Sequence, residues 1–217
     1  MALNGDPQAF IRDNTKLISP ALVPEIRLWL AAEDLPLWRA GEEELEAMGL
    51  GTPYWAFAWA GGQALARYVL DHKAEFFGRK ILCFAAGSGI EAIACAQAMA
   101  GDVVASDIDP MAATAMALNA LANDVFFTVS LQDYLGSQGD WDIVLIGDVC
   151  YEQQMAGRVQ SWARSLAASG RRVLIGDPVR AYLERQGLEA IARYPARTTS
   201  LMEDTGLGNA TVWEVCA

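Results

Sequence analysis

The sequence holds a single histidine, His72, and four cysteines, Cys83, Cys95, Cys150 and Cys216. No two cysteines form a Cys-x-x-Cys pair, so the spacing of a zinc ligand set is missing and no metal site is expected. Positive charge is scarce: 16 Lys and Arg stand against 27 Asp and Glu, a net charge of −11. A broad nucleic-acid or anionic-membrane surface needs a basic face, so neither partner is expected. No apolar run approaches the roughly 18 residues that span a bilayer. The first 14 residues lack the apolar core of a secretory signal. They also lack the Arg- and Ser-rich, acid-poor character of a mitochondrial presequence. The expected setting is therefore the bacterial cytoplasm, with reduced and mostly buried thiols. Low-complexity tracts and fixed-period repeats are missing too.

What is present is core-forming material: 53% of the 217 residues are hydrophobic, enough for one sizeable core. Residues 1–55 read as helical pieces interrupted by Pro20, Pro24, Pro36, Gly49, Gly51 and Pro53. Residues 21–33 predict an amphipathic helix with Leu22, Ile26, Trp29 and Leu30 on one face. Leu37 and Trp38 are the expected anchors of this arm. Beyond Gly61, apolar runs at 80–84, 103–107, 126–130, 143–147 and 172–176 read as strands. Helical patterns at 89–100, 110–123 and 153–168 separate them. Such alternation predicts parallel βαβ units with helices on both faces of a sheet. After a helix over 180–192, strands at 197–201 and 210–215 form a close-coupled pair through Asp204-Thr205-Gly206. The fold class is α/β: a seven-stranded, mostly parallel Rossmann-like sheet of the methyltransferase pattern, with a terminal antiparallel hairpin and an N-terminal helical arm. The arm is assigned residues 1–55 and the main domain residues 56–217.

The first strand of this sheet runs into Cys83-Phe84-Ala85-Ala86-Gly87-Ser88-Gly89-Ile90-Glu91-Ala92. Small residues let the backbone lie close to a ligand, and the helix that follows points free N–H groups at it. Gly87 to Ala92 fits the dinucleotide pattern G-x-G-x-x-A. That pattern begins directly after the strand, however, whereas Gly87 comes later and Ala85, Gly87 and Gly89 alternate. This resembles the Asp/Glu-x-Gly-x-Gly-x-Gly loop of S-adenosylmethionine enzymes, with Cys83 where an acid is usual and Ala85 where a glycine is usual. Asp107, at the tip of the second strand, is placed to accept the ribose hydroxyls in either class. Asp109 suits the cap of a helix starting at Pro110. Asp133 after the third strand either meets the adenine amino group or binds its own backbone.

The fourth strand ends in Asp148-Val149-Cys150-Tyr151. Methyl transfer to nitrogen is an in-line displacement that needs an aligned acceptor able to shed a proton. A carboxylate and a phenol three residues apart suit a lysine amine. A capping aspartate is the competing role.

Asp148-x-x-Tyr151 resembles the Asp-x-x-Tyr motif of the family-16 seven-β-strand protein lysine methyltransferases. Phe10-Ile11-Arg12-Asp13-Asn14-Thr15, Val23-Pro24-Glu25-Ile26-Arg27-Leu28 and Pro53-Tyr54-Trp55-Ala56-Phe57-Ala58-Trp59 extend the likeness to the electron transfer flavoprotein β-subunit lysine methyltransferases and their bacterial homologues. Ala105-Ser106-Asp107-Ile108-Asp109-Pro110 and Ile175-Gly176-Asp177-Pro178-Val179-Arg180 continue it. The resemblance implies catalytic roles for Asp148 and Tyr151. It implies an S-adenosylmethionine site formed by Trp59, Phe84, Ala85, Gly87, Gly89, Asp107, Ile108, Asp133 and Gly147, with S-adenosylhomocysteine as product. It also implies a protein substrate, the electron transfer flavoprotein β subunit, extending to proteins such as one of the ribosomal stalk. A methyltransferase of nicotinamide-like amines, an NAD-dependent oxidoreductase and a non-catalytic cofactor- or partner-binding domain are the other readings. His72, in a polar helix end, is expected to be a solvated terminal residue rather than a base.

Overall fold

The structure is a computed structural model that describes residues 5–35, 37, 40–47, 49–195 and 209–217. Helix α1 (Pro7–Asn14) starts at Asp6, whose side chain accepts the Gln8 N–H. A hairpin of β1 (Lys16–Ile18) and β2 (Leu28–Leu30) follows, then α2 (Glu42–Ala47) and a 3₁₀ turn at Tyr54–Ala56.

The helix predicted over 21–33 is not formed. Pro24 has no N–H to donate and disfavours helical backbone at Val23. Two asparagines distant in sequence satisfy the extended backbone instead. Trp29 N–H donates to Asn119 (2.7 Å) and Arg27 N–H to Asn123 (2.8 Å). Ile26, Leu28 and Leu30 are buried at alternate positions, so the apolar face has a period of two. Leu37 is buried as an anchor should be; Trp38 lies outside the described residues.

The chain continues with α3 (Ala60–Asp71), α4 (Lys73–Phe76), β3 (Lys80–Phe84), α5 (Ile90–Gln97), β4 (Asp102–Ser106), α6 (Pro110–Ala122), β5 (Thr128–Ser130), β6 (Ile143–Gly147), α7 (Gln153–Ala168), β7 (Arg172–Asp177), β8 (Leu188–Tyr194) and β9 (Ala210–Val215). The last seven strands form one sheet ordered β5-β4-β3-β6-β7-β9-β8, parallel from β5 to β7 and antiparallel on both sides of β9. Ile81, Cys83, Ile143, Leu145 and Leu174 pack with α3, α5, α6 and the arm; Leu82, Phe84, Val144, Ile146 and Val173 pack with α7. Both faces are covered, which is why the strands read as continuous apolar runs rather than alternating ones.

The terminal hairpin is present, but its first strand comes earlier than predicted. The helix expected over 180–192 is replaced by a turn at Ala181–Tyr182 and by β8. Gly187 stands at φ +76, a left-handed conformation that breaks a helix, and β9 supplies pairing partners from Leu188 on. Gln160 accepts the Glu184 N–H and donates to the Tyr182 carbonyl, binding this segment to α7. The strand expected at 197–201 and the Asp204-Thr205-Gly206 turn lie outside the described residues. No helix among the described residues is long and apolar enough to cross a membrane.

Helix α3 lies directly on the sheet because Gly61 meets Gly176 backbone to backbone. A Cβ on either residue would overlap the carbonyl oxygen of the other. Gly61→Ala should lower the unfolding free energy by about 1–3 kcal/mol, the usual cost of overpacking, despite the better helix propensity of alanine. Urea denaturation of the two proteins measures this.

Candidate active site

The strand order reverses at β3, whose neighbours β4 and β6 lead to opposite edges of the sheet. Ligands of open α/β sheets bind beyond the carboxyl ends of the strands at such a point. The loop after β3 is held there by three left-handed residues: Ala85 (φ +52), Gly87 (+48) and Gly89 (+79). Gly89 begins α5, and a Cβ on it would come 2.9 Å from Met116 Cγ. The fully buried Asn119 of α6 donates to the Ser88 carbonyl (2.8 Å) while accepting the Trp29 N–H. One side chain thus ties the glycine loop to the arm.

Asp107 follows β4 and braces the loop. Its Oδ2 accepts the Gly87 N–H (2.9 Å) and its Oδ1 the Asp109 N–H (3.0 Å). Each oxygen keeps a lone pair for a further donor. Asp109 caps α6 by accepting the Met111 N–H, as its position before Pro110 predicts. Ile108 is 70% exposed on the rim. Asp133 is exposed and its Oδ1 accepts the Leu135 N–H, the local turn foreseen as one of its two roles. Phe84 turns its ring to α7, edge-on to Trp162 at 5.0 Å, so only its backbone borders the loop. His72 ends α3, away from the crevice. Its ring stacks on Tyr68, and it has no part in the site.

Asp148 sits just past β6 in a left-handed conformation (φ +54). Its N–H donates to the Gly176 carbonyl, and its Oδ2 accepts the Gly62 N–H in the first turn of α3 (2.8 Å). Its Oδ1 meets Arg180 Nη2 at 3.2 Å in a nearly buried ion pair. The Arg180 guanidinium also lies over the Trp59 ring, 5.7 Å from the centroid. It returns to the site through a tight turn: Asp177 accepts the Arg180 N–H (2.6 Å), and Val179 stands at φ +68, a strained value for a β-branched residue. Trp59 donates its indole N–H to the Tyr54 carbonyl, and the Tyr54 ring lies 5.4 Å from that of Tyr151. Burial, then the neighbouring Tyr54, pushes the Tyr151 phenol up to about 12. A phenol so shifted stays protonated near neutral pH.

The structure thus brings Asp148, Tyr151, Trp59 and Gly147 to one side of the crevice and Ala85, Gly87, Gly89 and Asp107 to the other. Sequence reasoning missed Arg180 and Glu91. Arg180 stood inside a quoted motif but 32 residues from its partner, so nothing local announced the pair. Glu91 did leave a signal: it is the single charged side chain in the apolar stretch Ile90–Gln97. Ala85 carries strain that glycine would not. About 1–2 kcal/mol of left-handed strain, against the added unfolded-state entropy of glycine, should leave Ala85→Gly more stable by about 0.5–1 kcal/mol. Thermal unfolding checks this.

A family model described as ribosomal protein L11 methyltransferase matches residues 63–147. Among solved structures, S-adenosylmethionine-bound magnesium protoporphyrin IX methyltransferase from Synechocystis PCC 6803 aligns with 70% of this chain and 78% of its own, at 24% identity and a TM-score of 0.51. Ribosomal protein L11 methylase from Lactobacillus delbrueckii subsp. bulgaricus aligns with 72% and 79%, at 18% identity and a TM-score of 0.50. These likenesses show the fold. The electron transfer flavoprotein beta subunit lysine methyltransferase of Danio rerio is 38% identical over 216 residues, 96% of this chain and 83% of that protein. The Homo sapiens protein of the same name is 34% identical over 219 residues, 97% and 82%. Identity of this level over nearly the whole chain shows that the chain belongs to the electron transfer flavoprotein β-subunit lysine methyltransferase family.

Proposed function

We propose that the protein transfers methyl groups from S-adenosylmethionine to lysine side chains of the electron transfer flavoprotein β subunit. The observation that carries this reading is the Asp148 carboxylate at the end of β6, framed by Tyr54, Trp59 and Tyr151. When bound, the donor supplies a sulfonium methyl group and leaves as S-adenosylhomocysteine. The residues fit it. Ala85, Gly87 and Gly89 shape a close backbone cradle and Asp107 keeps lone pairs for the ribose. Gly147, the backbone of Phe84, Trp59, Ile108 and Asp133 are the further residues we assign to the donor.

A lysine must arrive as a neutral amine to attack carbon. An isolated carboxylate would instead favour the ammonium. Asp148 is offered as half of an ion pair, so it can orient an N–H without holding the proton. Arg180 is then a positioning residue whose charge lowers the pKa of the amine. The aromatic faces guide the cationic side chain inward. Tyr54 and Tyr151 are 43% and 49% exposed, an open mouth that suits a lysine on a protein better than a small nicotinamide-like amine. A ribosomal stalk protein is a second substrate within this reading. We place the enzyme in the cytoplasm, in keeping with free thiols at Cys83, Cys95, Cys150 and Cys216. We treat residues 1–55 as an arm that frames the site and residues 56–217 as the methyltransferase domain.

The defining experiment follows labelled methyl groups from S-adenosylmethionine into purified electron transfer flavoprotein, with lysines mapped by mass spectrometry. Label confined to small molecules would reject the reading. Asp148→Asn should cut the transfer rate by about 100-fold, the scale of losing the group that aligns the attacking amine, with donor affinity unchanged by calorimetry. Asp107→Ala should do the reverse, weakening donor binding first. Arg180→Gln should move the rising limb of the pH–rate profile to higher pH by about one unit, because the amine beside an uncompensated carboxylate holds its proton longer. A purely structural role for Arg180 would lower the rate without moving the profile.

A further inference from the structure

Glu91, in the first turn of α5, is an acid with only 6% of its surface exposed. No cation pairs with it among the described residues; its carboxyl group accepts its own backbone N–H. Burial pushes it up to about 8, against the pull of that N–H, and the charge of Asp148 adds to the rise. A buried carboxylate without a cation is costly to ionise.

Its position is specific. A Cβ on Gly147, the last residue of β6, would overlap Glu91 Oε1, and one on Gly62, in the first turn of α3, would come 2.9 Å from it. The Cys83 thiol on β3 is pushed up by its hydrogen bond with Cys95 and by burial, with a smaller contribution from the charge of Glu91. Among the described residues, the titratable groups coupled to Glu91 are Asp148 and, more weakly, Cys83, whose thiol is bonded to Cys95, while α3 presents the backbone of Gly62. Cys83 is the loop position at which the S-adenosylmethionine pattern carries an acid. The next helix therefore delivers a carboxylate against the end of β6, the strand paired with β3.

We propose that Glu91 binds the α-ammonium group of the methyl donor, replacing the acid that position 83 lacks. This rests on reading the crevice as an S-adenosylmethionine site. Of the two cations on the donor, the ammonium has three N–H groups to give a buried carboxylate, whereas the sulfonium has none. S-Adenosylhomocysteine keeps only the ammonium and is the better probe.

The test is calorimetric titration of S-adenosylhomocysteine at pH 7 in buffers of different ionisation enthalpy. In the wild-type protein, binding converts a mostly protonated Glu91 to carboxylate and releases close to one proton. Glu91→Gln should release none and bind on the order of 30-fold more weakly or worse, as expected when one partner of a buried charged pair is lost. It should also stop distinguishing S-adenosylhomocysteine from its analogue lacking the α-amino group. Because glutamine is isosteric with the protonated acid, thermal unfolding of the ligand-free variant at pH 7 should match or exceed that of the wild type. A loss of affinity that follows a loss of fold would mark Glu91 as structural and overturn the proposal. The double variant C83D/E91Q should regain at least tenfold in affinity. Wild-type-like binding by E91Q, or weakened binding of S-adenosylmethionine alone, would overturn the assignment. Failure of the wild-type protein to bind S-adenosylhomocysteine would reject the underlying reading of the crevice as well.

Discussion

The site depends on the junction where the Asp148 carboxylate accepts the Gly62 N–H at the start of α3. A helix N-terminus favours an anion, and the anion in turn fixes the helix. For the contact to form, α3 must lie on the ends of β6 and β7 with almost nothing between. Gly61, Gly62, Gly147 and Gly176 provide that closeness, since a Cβ at any of them would run into backbone or a carboxylate. The left-handed backbone at Asp148 is held by the same contact and by its N–H bond to Gly176.

Around this junction the crevice balances its charges by different means. Asp148 has a cation, Arg180, and a helix N-terminus. Asp107 has backbone N–H groups on both oxygens and remains open to solvent on one side. Glu91 has its own backbone N–H and stays protonated near neutral pH. A protein of net charge −11 can therefore put three acids at one strand edge without three charges repelling one another. Arg180 is the basic side chain that pairs with Asp148, and the strained turn at Val179 aims it there.

Where sequence reasoning succeeded, the signal was local and periodic. The apolar runs at 80–84, 143–147 and 172–176 coincide with strands because both faces of the sheet are covered, and α7 matches its predicted bounds. Asp109 before Pro110 needed nothing beyond its own helix. Where it failed, a distant partner decided. Residues 21–33 carry apolar residues compatible with a helix, yet Asn119 and Asn123, about 90 residues away in sequence, satisfy the backbone as a strand. Residues 188–194 have helix-forming composition, but β9 offers a ladder that propensity cannot foresee.

By itself the sequence determined the alternation of strands and helices, the glycine loop, and an acid at the ends of β4 and β6. These follow from neighbours within a few residues. The tertiary structure alone decided which charges meet. Asp148 reaches Arg180 across 32 residues and Gly62 across 86, and Glu91 is buried against Gly147 across 56. Burial and pairing set the protonation of a carboxylate, and both depend on what the folded chain places around it.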